Sequence, residues 1–234
     1  TKANIVIDVP LSFEEHATLS GYAKIDSNVL NIDANVSDKE KLLVKAVGYI
    51  PEASLLPAYS EELKWDSLSP IKSEIELLDN NVDAKLTAGT LNVNAQYDLN
   101  TTQVDGKIAL DGLHANLSGI VEEKMIVDTK INSIHALIES VNSIYLLEEV
   151  PAVKGSADIS VALTQMKTVD VALKSPEIIY QADEKTEHYV NDIDLAVNLQ
   201  DQQVVLKHYT LTYGGQKLFS TKPSTVSMID TNVT

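Results

Sequence analysis

The chain has 234 residues, 44% of them hydrophobic but only 5% aromatic, and 34 acidic against 18 basic residues give a formal net charge of −16. That size and apolar fraction fit one large or two ordinary folded domains and argue against disorder. Every basic residue is Lys and no Arg occurs. Nucleic acid is therefore disfavoured as a partner, because phosphate binding draws on clustered positive charge and on Arg forks. Electrostatic docking on an anionic membrane is disfavoured for the same reason.

Cysteine is absent, which removes disulfide frameworks, thiolate metal sites and cysteine nucleophiles while leaving the redox compartment open. The longest apolar clusters, Leu42 to Ile50 and Ile144 to Leu147, fall short of the roughly 18 apolar residues of a spanning helix. No basic segment followed by an apolar one opens the chain, so any targeting signal or anchor is expected outside it. Residues 1–234 read as an internal segment of something longer, with a sub-boundary expected near 133–155.

In chain order, Ile5, Ile7 and Val9 alternate with Val6 and Asp8 until Pro10, the pattern of a strand. Thr18 to Val36 predicts two strands around a turn at Asp26-Ser27-Asn28, and Lys41 to Ile50 another that Pro51 ends. Glu52 to Trp65 departs from period two, with Leu55, Leu56, Tyr59 and Leu63 near helical spacing but interrupted by Pro57, which predicts a short helical or irregular crossover. From Ile71 alternation resumes: Lys72 to Leu78, then Val82, Ala84, Leu86 and Ala88, then Leu91, Val93, Ala95, Tyr97 and Leu99. The phase changes at Gly89-Thr90 and again at Gly112, where a β-bulge or tight bend is expected, since one inserted residue reverses the faces of all that follow.

Val104 to Leu110, Leu113 to Val121 and Met125 to Ile131 continue the rhythm. Ser133 to Leu147 is the one amphipathic helix, with Ile134, Leu137, Ile138, Val141, Ile144 and Tyr145 on a stripe and Asn132 or Ser133 as its cap. That stripe suits packing on a core, or alternatively a plug over an apolar groove. Strands are expected at Ala157 to Leu163, Val169 to Lys174, Glu177 to Ala182, Lys217 to Ser220 and Thr225 to Ile229.

Tyr189 to Tyr213 reads as a long hairpin: Ile193, Leu195, Val197 and Leu199 share one face, Asp201-Gln202-Gln203 reverses the chain, and Val205, Lys207, Tyr209, Leu211 and Tyr213 are expected together on one face of the return.

Candidate chemistry is sparse. The five histidines are scattered without metal-ligand spacing, and neither a nucleophile elbow nor a phosphate-binding glycine loop occurs. Acidic neighbours such as Glu14-Glu15, Glu122-Glu123 and Glu148-Glu149, and the Asp192-Ile193-Asp194 run, read as solvated faces. Sequons stand at Asn35, Asn100, Asn116 and Asn232 and matter only in a eukaryotic secretory pathway. No catalytic residue, metal or cofactor is expected, and the chain reads as non-enzymatic. A sheet closed on itself or packed against another would make the Ile, Leu, Val and Ala faces a sealed core. An open trough would instead leave an aliphatic surface that calls for an aliphatic ligand.

The segment Val190 to Met228, with its acidic alternating strand, short turn, Val204 to Gly215 and a return strand through Pro223, resembles the repeating strands of AsmA-like proteins, the long bacterial envelope proteins of TamB and YhdP type; Val104 to Ser118 is similar. The resemblance implies an all-β, mainly antiparallel fold, a curved, elongated sheet forming an open groove with one accessory helix. It further implies a periplasmic protein anchored to the inner membrane through a segment not present here, which holds phospholipid acyl chains between two membranes. The candidate lipid-binding face comprises Ile193, Leu195, Val197 and Leu199, Tyr209 and Leu211, Ile159, Val161 and Leu163, and Ile108 and Leu110. The competing reading is a structural or adhesive cell-surface β-protein, a sandwich or solenoid with a sealed core and no ligand. A transmembrane barrel is disfavoured by one Trp and two Phe, too few for aromatic girdles.

Overall fold

The computed structural model describes residues 3–8, 16–25, 28–37, 43–50, 64–145, 147, 152–183, 186–200 and 203–227. Well over half of these lie in strands, every ladder is antiparallel, and one α-helix is present among them. The chain divides into two compact units: Thr1–Asp111 with Ser140–Glu149, and Gly112–Glu139 with Val150–Thr234. Among the described residues no ladder closes the sheet of either unit on itself, so the fold is all-β and open. The crossover expected at Glu52 to Trp65 and the far end of Thr225 to Ile229 lie largely outside the described residues.

In the first unit, β1 (Ala3–Asp8), β2 (His16–Ile25) and β3 (Asn28–Ser37) form a small sheet. β4 (Leu43–Ile50), β5 (Ile71–Leu78), β6 (Asn81–Ala88), β7 (Leu91–Asp98) and β8 (Gln103–Leu110) follow as a meander in chain order. Each of β5 to β8 has eight residues, and odd-numbered residues pair with even-numbered ones across every ladder, so one face takes the odd positions of β5 and β7 and the even positions of β6 and β8. Asp79, with φ 55°, and Gly89, with φ 57°, supply the left-handed residues of the two-residue reversals. Gly89-Thr90 is thus a hairpin turn rather than a bulge, and the phase change read there is the turn itself.

The second unit holds β9 (Leu113–Ile120), β10 (Lys124–Ile131), β12 (Ala157–Thr164), β13 (Thr168–Asp183), β14 (Thr186–Gln200), β15 (Gln203–Tyr213) and β16 (Gln216–Phe219) in that order across the sheet. Two short strands flank this path: β11 (Val153–Gly155) pairs with β13, and β17 (Ser224–Ser227) pairs with β15. Gly112 occupies the turn before β9. The strands expected at Val169 to Lys174 and Glu177 to Ala182 are one 16-residue strand. Pro176 does not break it, because its missing N–H falls where the partner of β13 changes from β12, last paired at Lys174, to β11, first paired at Ile178. Next to that switch Ser175, only 3% exposed, donates its hydroxyl to the Ser156 carbonyl at 2.6 Å.

Helix α1 (Ile134–Ile144) is shorter at its C-terminal end than the amphipathic stripe predicts. Ser133 is its cap: its Oγ accepts the Ala136 N–H at 3.1 Å, a bond worth about 1 kcal/mol in such positions. Within the second unit, the Leu137 N–H bonds to the Ser133 carbonyl, and both atoms stand against Gly112. Within the first unit, the helix end is held by the Lys64 N–H on the Ile144 carbonyl, by Lys64 Nζ on the Asn142 carbonyl, and by Ser140 Oγ against Thr90 Oγ1. The two Lys64 bonds satisfy carbonyls that a helix C-terminus otherwise leaves open.

Candidate functional site

Cross-strand pairing decides which side chains share a face. In the second unit one row runs Ala115, Thr129, Ile159, Leu173, Leu195, Tyr209 from β9 to β15. The next is aliphatic throughout: Leu117, Val127, Val161, Val171, Val197, Leu206. A third carries Met125, Leu163, Val169, Leu199 and Val204. Ile159, Val161, Leu163, Ile193, Leu195, Val197, Leu199 and Tyr209 are thereby brought onto a single face, and Leu211 joins them opposite the Asp192-Ile193 irregularity. All nine are half-buried.

Ile108 and Leu110 belong to the first unit, where Ile108 faces Val93 and Val93 faces Leu86. Within that unit they share an apolar face with Ile75, Leu77, Val82 and Val104. Ile75 is 49% exposed and Ile108 42%, and among the described residues no large side chain is below 2% exposure. Each unit thus presents an apolar face that its described neighbours leave partly open to solvent, which few monomers tolerate without a partner.

The hairpin departs from the alternation expected of it. Pairing moves from Ala196–His208 to Val197–Leu206, skipping Lys207, so Lys207 is an extra residue on β15. Leu206 and Val204 therefore join the apolar face, while Val205 pairs with Asn198 on the polar side and Lys207 reaches Asp170 there at 2.6 Å. The expected grouping of Val205 and Lys207 with Tyr209 is corrected by this bulge. Sequence offers no signal for Leu206 and Val204, because a bulge consumes one residue without changing composition. Val169, Val171 and Leu173, by contrast, are legible in the sequence as alternation along one strand.

The opposite side is a charge ladder. Lys130, Asp158, Lys174 and Asp194 stand directly opposite one another in sequence across four strands, so each carboxylate has a lysine on a neighbouring strand; such pairs fix register more than they add stability. Ser160 donates to Asp128 at 2.6 Å and Asn198 to Asp170 at 2.9 Å. The Lys207 ammonium, and after it the Asn198 amide, hold the Asp170 carboxyl below the usual aspartate range. Backbone N–H groups of Thr101 and Asn100 do the same for Asp98 in the turn after β7. The Tyr189 hydroxyl lowers Glu187, and its own proton is held more tightly in return.

Hollows of 330 Å3 lie on the polar sides, one in the second unit among Asn116, Asp128, Lys130, Asp158 and Lys174, one in the first among Asp83, Lys85, Asn94 and Lys107. Thr129 and Ile159 also line the first hollow, and Ala84 and Ala95 the second. Among the described residues no three His, Asp or Glu side chains are grouped to hold a metal, and no helix is long and apolar enough to cross a membrane. No known protein family, curated protein or solved structure matches the chain.

Proposed function

We propose that this chain is a non-enzymatic lipid-holding segment whose apolar sheet faces bind the acyl chains of phospholipid, within a longer envelope protein of the kind that the AsmA-like resemblance implies, periplasmic and anchored to the inner membrane elsewhere. The observation that supports this reading is the pair of apolar faces left half-open to water. The row from Leu117 to Leu206 crosses six strands. At about 4.8 Å between strands, it offers an apolar strip some 24 Å long, on the scale of one extended acyl chain. The near absence of aromatic side chains from that strip suits a flexible aliphatic chain better than a flat ring. A sealed sandwich is the weaker reading, since it would bury large side chains completely, and none of the described ones is buried in that way.

The test is native mass spectrometry of the purified chain after exposure to phospholipid vesicles, together with photo-crosslinking from Leu195. Retained phospholipid and a lipid adduct are expected. A chain that retains none, with no adduct from any position on the face, overturns the proposal.

A further inference from the structure

β14 and β15 are joined by two irregularities that cancel. Asn191 pairs with Thr212 and Asp194 with Thr210, so β14 spends an extra residue at Asp192-Ile193; three pairs later β15 spends one at Lys207. Outside these points the register is the same, from Val190–Tyr213 at one end to Gln200–Gln203 at the other. Asp192 takes the left-handed backbone of the first bulge, with φ 52°, a conformation that aspartate accepts more readily than most side chains.

Two opposite bulges on a single ladder amount to a one-residue shift confined to the residues between them. If residues 208–211 slid back by one, both bulges would vanish with the flanking β14–β15 pairs untouched, while the Thr210–Phe219 and Leu211–Leu218 pairs with β16 and the two bonds between Tyr209 and Ser220 would have to shift with them. Leu195 would then face His208, Ile193 would face Thr210, and Tyr209 and Leu211 would turn to the polar side. In the observed register the segment is pinned by polar-side contacts: Lys207 Nζ on Asp170 at 2.6 Å, and His208 Nε2 on Asp194 at 3.0 Å. Lys174 Nζ also approaches Asp194, at 3.9 Å, and Thr212 donates to Asp192 at 3.4 Å.

We propose that residues 208–211 form a two-register element, latched by Asp170 and Asp194, that decides whether Tyr209 and Leu211 belong to the apolar face. The slid register removes a left-handed aspartate and an unpaired strand residue; the observed one gains the two latches, the pairs with the exposed edge strand β16 and the Tyr209–Ser220 bonds, and keeps His208 on the polar side. The face that receives Tyr209 and Leu211 is half-open, so turning them costs less than it would in a closed core. An occupant of the apolar face favours the register in which these side chains contact it, by population shift; this last consequence rests on the lipid reading, whereas the two-register element does not.

Disulfide trapping tests it on a background free of native cysteine. The pair L195C/Y209C reports the observed register and I193C/T210C the slid one, since only directly opposed residues bring their Cβ atoms within bridging range. Adding Asp170→Asn and Asp194→Asn is expected to raise the I193C/T210C trapping rate about fivefold, the scale of losing two exposed ion pairs, and to slow L195C/Y209C. Lys207→Gln with His208→Gln releases the same latches from the other strand and serves if the first pair perturbs folding. An I193C/T210C rate unmoved by either set overturns the proposal.

Discussion

Leu195 on β14 stands directly opposite Tyr209 on β15, yet Val197, two residues further along the same face, stands opposite Leu206 and not Lys207. The spacing of apolar side chains along β15 is therefore two, three, two, through Val204, Leu206, Tyr209 and Leu211. Position on that irregular ladder leads to the first expectation. A photo-crosslinker at Leu206 should capture acyl lipid and one at its neighbour Val205, on the polar side, should not. Equal capture from both positions would remove the bulge as the determinant of the face.

Leu195→Asp separates an open face from a sealed core. A charge buried without a partner costs several kcal/mol, whereas on a half-exposed face the carboxylate keeps most of its water and the loss should stay within about 1 kcal/mol. Urea unfolding is expected to show a small shift in midpoint with the slope unchanged, alongside loss of lipid adducts. Global unfolding of the variant would contradict the open face.

Gly112 and Gly214 both take left-handed backbone, with φ of 79° and 57°. A Cβ on Gly112 would come within 2.5 Å of the Ser133 carbonyl oxygen and 2.6 Å of the Leu137 nitrogen, whereas nothing lies within 4 Å of one on Gly214. Gly214→Ala should cost about 1 kcal/mol, the backbone penalty alone. Gly112→Ala should cost clearly more, because the helix start must move away from the turn. Thermal unfolding of the two variants gives the comparison, and equal losses would count against the close approach.

The Asp170 carboxyl titrates below the ordinary aspartate value of 3.8, first through Lys207 and then through Asn198. A folded-state value below the unfolded one gives a contribution that is fully present above the unfolded value and is lost as pH falls through the folded one. Stability should thus decline below about pH 4, and less steeply in Asp170→Asn, which cannot titrate there. Chemical denaturation at several acid pH values reads the difference. Because Asp170 and Lys207 are both about half exposed, salt should weaken the effect.

Much of the fold was legible because it is written locally. Eight-residue alternation with a reversal every ten or so residues predicts an antiparallel meander, and the stripe from Ile134 to Tyr145 after Ser133 predicts a capped helix, since period and capping depend on neighbours in the chain. Ile159, Val161, Leu163, Ile193, Leu195, Val197 and Leu199 share a face for the same reason. What the sequence could not decide depends on partners far away in it. Pro176 looks like a strand end, and only the change of neighbour from β12 to β11 shows why β13 runs through it. Lys207 looks like a member of an apolar row, and only pairing with β14 and the carboxylate of Asp170 two strands away turn it to the other side. Whether an aliphatic face is sealed or open is likewise decided by what packs over it, and alternation is identical in both cases: composition determines that a face exists, and tertiary packing alone determines whether water, protein or ligand lies against it.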